Sequence, residues 1–209
     1  MRRAIAFDLD GTLLDVKERD YAIYCDLLLH NGYLPLETDK YWSLRRSRCN
    51  IFSLLAMSKL VDESLVSVFL RKRQEMMEQL HYLEYDQLFP DVKTVLFELK
   101  VIYDIYLVTT RFNIVNTQLQ LENLGLNGVF DEVHIVGKDK YCAYKEIANL
   151  DFVVGDTEND ICAAQRLQVK AVGVTTGIRD RAFLQDLHPN YIIDNLLELL
   201  KICIYEKSI

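Results

Sequence analysis

Asp8 and Asp10 stand two residues apart at the end of the apolar run Ala4-Ile5-Ala6-Phe7, and Gly11 and Thr12 follow at once. An apolar run of this length, closed by turn-forming residues, reads as a buried strand. In an open parallel α/β sheet, the polar residues just beyond such a strand lie where ligands bind. If the extended backbone persists to Asp10, both carboxylates leave the same face. Two carboxylates this close repel unless a cation or a shared proton relieves them. Oxygen ligands suit a hard divalent cation, Mg2+ above all. Gly11 permits a sharp turn, and Thr12 adds a hydroxyl and an N–H. The plainer alternative is a pair of turn residues closing a strand, where Asp and Gly are common.

Other polar clusters follow apolar runs further along. Thr109 ends Ile105-Tyr106-Leu107-Val108, with Thr110 and Arg111 next. A hydroxyl and N–H groups ahead of a helix make an anion site, because the helix N-terminus carries partial positive charge. An ordinary helix N-cap is the alternative for Thr109. For Arg111 the alternatives are a charge near a bound anion and a solvated arginine at a helix start. Val153-Val154-Gly155-Asp156 repeats the strand-then-acid pattern, and Asp160 falls four residues later, on the same face once a helix has begun. Acidic residues also favour helix N-termini on their own account.

The elements that must position these groups are legible. From Phe89 onward, strands alternate with helices. The strands are Ile102 to Val108, Glu132 to Val136, Phe152 to Val154, Lys170 to Val174 and an edge strand Tyr191 to Ile193. The helices are the one opened by Phe89-Pro90-Asp91, then Ile114 to Leu124, Lys140 to Ala148, Glu158 to Leu167 and Leu196 to Ile204. Such alternation implies an α/β fold, a Rossmann-like doubly wound parallel sheet with helices on both faces. Between Asp15 and Glu84 the pattern is different. Glycine is scarce, and apolar residues recur at helical spacing: Tyr21, Tyr24, Leu27 and Leu28; then Ile51, Leu54 and Leu55; then Leu65, Val66, Phe69, Leu70, Met76, Met77 and Leu80. Asn31-Gly32 reads as a helix stop, and Thr38-Asp39 and Asp62-Glu63 as helix starts. This block is expected to be a small helical bundle inserted after the first strand.

The string Phe7-Asp8-Leu9-Asp10-Gly11-Thr12-Leu13-Leu14-Asp15 resembles motif I of the haloacid dehalogenase-like (HAD) hydrolases. Thr109 at a strand end resembles their motif II, and Gly155-Asp156-Thr157-Glu158-Asn159-Asp160 is similar to motif IV. Motif III of the family is a lysine near a helix start between the two. Lys138, Lys140 and Lys145 are the candidates; Lys140 begins the helix and is preferred, Lys138 is second, and for Lys145, inside the helix, the alternative is a solvated face. The sequence departs from the family here, with no proline after the lysine and a shortened helix. The resemblance implies a HAD-like core at 1–14 and 85–209 and a C1-type helical cap at 15–84, as in phosphoglycolate phosphatases and beta-phosphoglucomutases. It also implies roles. Asp8 is the nucleophile that takes the phosphoryl group, and Asp10 gives a proton to the leaving oxygen and then takes one from water. Mg2+ sits on the Asp8 side chain, the Asp10 backbone carbonyl and Asp156. Gly11, Thr109, Thr110 and Lys140 hold the phosphate, Asp160 supports the metal waters or the lysine, and the cap closes over the site. An acid at Asp10 separates phosphatases from the family's dehalogenases, whose halide leaves without a proton. A phosphomutase, or a binding protein on the same fold, is the alternative to a phosphatase.

In Arg45-Arg46-Ser47-Arg48, Arg46 and Arg48 are candidates, with Arg111, to read a second anion on the substrate, because arginine binds carboxylate or phosphate in bidentate fashion. A solvated helix face is the other reading, and core packing is expected of Tyr41 and Trp42. The four histidines show no metal-ligand spacing. The chain has 209 residues, half of them hydrophobic, so it is long enough for one globular core plus a small insert. A net charge of -7 argues against a nucleic-acid binder but admits a small phosphorylated metabolite. The five cysteines are scattered without a Cys-x-x-Cys pair, which points to reduced, mostly buried thiols in a cytoplasmic protein. No membrane segment or leader is expected from the apolar runs, and a monomer or weak homodimer is expected.

Overall fold

The computed structural model describes residues 2–207. Met1, Ser208 and Ile209, the outermost residues of the expected core spans, lie outside the described residues. The chain forms two compact units, one running to Asp15 and resuming at Leu88, the other covering Val16–Gln87.

The first unit is built on a six-stranded sheet of β1 (Arg3–Phe7), β4 (Tyr103–Thr110), β5 (Glu132–Val136), β6 (Leu150–Gly155), β7 (Lys170–Val174) and β8 (Tyr191–Ile193). The order is β5-β4-β1-β6-β7-β8 and every pairing is parallel. The doubly wound α/β sheet expected from the sequence is therefore present. β1 lies at the centre, with Phe7 in register with Leu107 on one side and Val154 on the other. The strand order reverses direction about β1, and the crevice at such a point is where α/β sheets bind ligands.

Its helices are α6 (Val92–Lys100), α7 (Ile114–Asn123), α8 (Tyr141–Glu146), α9 (Glu158–Leu167), α10 (Arg181–Asp186) and α11 (Leu196–Lys207). α6 buries Val92, Val95, Leu96 and Leu99, spaced to form one stripe. On one face of the sheet, Ala4, Ala6, Val108 and Val153 share a buried cluster with Tyr144, Ile147, Ile161 and Ala164 of α8, α9 and their flanks. The alternate residues of β1, Ile5 and Phe7, are fully buried as well, as a central parallel strand requires. The sequence gives no clear periodicity for the six residues of α10; Asp180 starts it by accepting the Phe183 N–H. Two further short strands, β2 (Leu14–Asp15) and β3 (Gln87–Leu88), pair with each other where the chain leaves and rejoins the first unit.

The second unit is helical: α1 (Lys17–Leu29), α2 (Thr38–Arg46), α3 (Ile51–Met57), α4 (Glu63–Met76) and α5 (Leu80–Leu83). Asn50 and Asp62 cap α3 and α4 with side-chain acceptors. The long third helical run is split, since α4 ends at Met76 and α5 begins at Leu80. Tyr24, Leu27, Tyr41, Leu54, Val66, Phe69 and Tyr82 form its core, with Tyr24 stacked on Tyr41 at 4.2 Å and Trp42 packed against the cluster. Asp20 is buried there between Arg45 (3.0 Å) and Arg73, and Arg19 pairs with Asp86 at 3.2 Å with both side chains fully buried.

The cysteines correct one expectation. All five are free thiols, but Cys203 alone is buried, Cys25 and Cys49 are half-buried, and Cys142 and Cys162 are exposed. Cys142 and Cys162 sit on outward faces of α8 and α9, whose inner positions are taken by Tyr144, Ile161 and Ala164. Among the described residues, no helix is long and apolar enough to cross a membrane.

Candidate active site

Asp8, Asp156 and Asp160 come together beyond the carboxyl ends of β1 and β6. All three are buried, and they present carboxylate oxygens within 4.8 Å of one another. The backbone dictates this meeting. The Asp8 N–H donates to Val154 O at 2.9 Å, which extends the β1–β6 ladder one residue past Phe7 and places Asp8 beside the end of β6. Asp160 reaches in from the first turn of α9.

Lys140 stands among these acids. Its Nζ lies 2.5 Å from Asp8 Oδ1 and 2.8 Å from Asp160 Oδ1, and its side chain is 2% exposed. Lys140 is the residue from which α8 springs. Of the three lysine candidates, Lys138 is exposed and Lys145 lies in the last turn of α8. Tyr144, one turn after Lys140, donates its hydroxyl to Asp160 Oδ1 at 2.8 Å, and Thr157 donates to Asp160 Oδ2 at 2.9 Å. Sequence reasoning assigned no role to Tyr144; its spacing of four from Lys140 on one helix is the signal that finds it.

Asp156 is held differently. Its Oδ2 accepts the Ile178 N–H at 2.7 Å, while Oδ1 is buried with no hydrogen-bond partner. Side chains on Gly11 or Gly177 would stand where this carboxylate is, so both positions must be glycine for Asp156 to sit here. Gly11 also has φ +80°, which a side chain disfavours. Thr176 Oγ1 donates to Gly11 O at 2.9 Å, tying the loop after β7 to the turn after β1. Gly155 is constrained likewise, because a Cβ there would meet Asp160.

The electrostatics follow from burial. Desolvation pushes the Asp8 carboxyl up to about 7, with the negative charges of Asp160 and Asp10 adding and Lys140 opposing. Desolvation, then Asp8 and Asp160, raise Asp156 well above the usual carboxylate range. For Lys140, burial works against the charge, and Asp160 and Asp8 more than offset it, so the ammonium is held. Three buried carboxylates thus share one ammonium. The buried, unpartnered Asp156 oxygen, on a carboxylate grouped with Asp8 and Asp160, suits a hard divalent cation such as Mg2+.

Asp10 is not part of this cluster. It forms a bridge with Leu14, and its carboxylate turns to Arg111. Asp8 and Asp10 thus answer to two separate cations, Lys140 and Arg111, while the Asp10 charge still adds to the rise of the Asp8 carboxyl. The solvated alternative for Arg111 is corrected, since the residue is buried. Thr109 also differs from its helix-start reading. It lies within β4, fully buried, and α7 begins at Ile114 with Asn113 as its capping side chain. β4 continues through Thr110 because its pairing with β5 runs to Thr110↔Val136. Thr109 therefore owes nothing to a helix N-terminus; it comes to the carboxyl end of the sheet as a strand residue. Thr110 is half-buried beside it.

The arginines of the helical unit are partly absorbed by its own structure. Arg45 pairs with Asp20, so the cluster is not simply a solvated face. Arg46 closes α2, and Arg48 follows it with φ +60°.

Comparison with known proteins agrees with the fold. The haloacid dehalogenase-like hydrolase family matches residues 5–174, and the chain belongs to that family. It is similar to a phosphoglycolate phosphatase of Aliivibrio fischeri, 29% identical over 96% of each chain, and to the pyrophosphatase PpaX of Bacillus mycoides, 26% identical over 95% of each. In fold it resembles a haloacid dehalogenase-like family protein from Streptococcus pneumoniae, with TM-score 0.77, 23% identity, and 96% of this chain and 98% of that one covered. It also resembles a predicted phosphoglycolate phosphatase from Haemophilus somnus, with TM-score 0.75, 22% identity, and 97% and 98% covered.

Proposed function

We propose that the protein is a Mg2+-dependent phosphatase that hydrolyses a small phosphomonoester through an aspartyl-phosphate on Asp8. The observation that carries this reading is Asp8 itself, buried with Lys140 on one side and the uncompensated carboxylate of Asp156 on the other. The names of the relatives, a phosphoglycolate phosphatase and a pyrophosphatase, support attack on a phosphoryl group.

In this reading Asp8 attacks phosphorus, the bond to the leaving oxygen breaks, and Asp10 delivers a proton to that oxygen. Water then attacks the phosphorus of the aspartyl-phosphate and gives a proton to Asp10. The bond to Asp8 breaks, and inorganic phosphate and free Asp8 are restored. Lys140 neutralises the phosphoryl oxygens, with Gly11, Thr109 and Thr110 completing the cradle. Asp160 fixes Lys140. Asp8, Asp156 and the Asp10 carbonyl would hold Mg2+, which supplies positive charge to the phosphoryl oxygens when bound. The helical unit, inserted directly after the first strand, takes the part of the C1-type cap. The acidic balance of the chain supports a small diffusible substrate rather than a nucleic acid; five free, unpaired thiols suit the cytoplasm, and the protein acts as a monomer or weak homodimer.

The test is a panel of phosphate esters assayed with Mg2+ or with EDTA, using wild type and Asp8→Asn. Hydrolysis that depends on Mg2+ and vanishes in Asp8→Asn is expected. Hydrolysis indifferent to both would sink the reading, and transfer to a sugar hydroxyl in preference to water would move it to a phosphomutase.

A further inference from the structure

The guanidinium of Arg111 grips the Asp10 carboxylate with a fork. Nε donates to Oδ2 at 2.8 Å and Nη2 to Oδ1 at 2.6 Å, and Nη2 also donates to Gln120 Oε1 at 3.2 Å. The Arg111 side chain is 2% exposed and that of Asp10 is 29% exposed, so the fork lies beneath the acid and the acid faces the open side. Gln120 is buried on α7, whose start is set by Asn113. Two parallel N–H···O bonds fix the plane of a carboxylate as well as its position. A point charge such as lysine would leave it free to rotate.

We infer that Arg111 is the positioning residue for Asp10. Backed by Gln120, it holds the Asp10 carboxylate in the orientation from which protons pass to the leaving oxygen and from water. This rests on the phosphatase reading, in which Asp10 moves those protons. It departs from the view of Arg111 as a reader of a second substrate anion, because two of its donors are committed to Asp10.

The experiment compares wild type, Arg111→Lys, Arg111→Met, Asp10→Asn and the double variant Arg111→Met/Asp10→Asn. Substrates are an alkyl phosphate and p-nitrophenyl phosphate, with saturating Mg2+. Arg111→Met should lower kcat on the alkyl phosphate by about 10²-fold while KM moves less than about 3-fold. Arg111→Lys, which keeps the charge and loses the fork, should recover only part of that loss. With p-nitrophenyl phosphate, whose leaving oxygen departs without a proton, Arg111→Met should give a fast first turnover and then a slow steady rate. The double variant should be no slower than Asp10→Asn, since residues acting through one another are non-additive.

Losses that multiply in the double variant would overturn the inference. So would a rise in KM with kcat unchanged for substrates carrying a second anion. Thermal denaturation of each variant checks folding, and if Arg111→Met does not fold, Arg111→Lys carries the same comparison. Full activity in Asp8→Asn is a separate result, which would remove the phosphatase reading itself.

Discussion

The carboxylate of Asp156 fills the space that a side chain on Gly177 would occupy, and the next residue, Ile178, donates its N–H to the same carboxylate. The loop after β7 therefore shapes the cluster after β6. Gly177→Ala should push Asp156 away from Asp8. Mg2+ affinity and kcat/KM should fall together, with the rate down by about 10²-fold, as for a misplacement of about 1 Å. Titration of Mg2+ followed by thermal shift, alongside initial rates, checks this; wild-type values for both would contradict the packing argument. Gly11→Ala should cost more stability, because it adds φ strain to the same collision.

Lys140 and Lys138 should separate sharply. Lys140→Met leaves Asp8 and Asp160 buried without their cation, and kcat/KM should drop by about 10²–10³-fold. Lys138 is exposed, so Lys138→Ala should stay within about 0.5 kcal/mol in stability and close to wild type in rate. Similar losses in both variants would place the phosphate-neutralising charge elsewhere.

Metal binding should be readable without turnover. A ligand bound only by the folded state stabilises it, by about 2.7 kcal/mol at a hundredfold excess over Kd. Mg2+ should raise the Tm of wild type and leave Asp156→Asn nearly unmoved, because the substitution takes the charge from a carboxylate whose Oδ1 is buried beside Asp8 with no hydrogen-bond partner. Equal stabilisation of both proteins would rule out Asp156 as a ligand.

The helical unit should be acid-sensitive through Asp20. Burial alone would raise this carboxyl, but the guanidiniums of Arg73 and Arg45 outweigh it and hold it well below the usual range. The stabilisation is therefore complete above the unfolded value of about 3.9 and is lost as pH falls below it toward the folded value. Asp20→Asn strands two arginines, and a loss of about 3–5 kcal/mol is expected at neutral pH. Urea unfolding of wild type and variant at pH 7 and pH 3 measures it; the gap should narrow at pH 3, and a gap that widened would contradict the assignment.

Much of this is legible in the sequence. The central strand and its acids, the βα alternation and the helical insert are local patterns, since hydrophobic periodicity and capping residues act within a few positions. Asp8 and Asp156 can be singled out because each follows an apolar strand, and such positions converge at the carboxyl end of a parallel sheet; Lys140 is singled out through the resemblance to motif III, which asks for a lysine at a helix start. Thr109 was legible as a residue but not in its setting, because the length of β4 is decided by its partner β5 rather than by its own residues. Arg111 reads as solvated because no residue beside it in the sequence supplies a carboxylate for it. Its partner, Asp10, lies 101 positions away.

By itself, then, the sequence determined which stretches form strands and which form helices, and where the chain interrupts one unit to build another. Only the tertiary structure decided which charge answers which. It gave Lys140 to Asp8 and Asp160, gave Arg111 to Asp10, and left one oxygen of Asp156 with no partner. The reason is physical: an ion pair between distant segments has no local signature. Its strength comes from the removal of water, and that happens only when the sheet assembles.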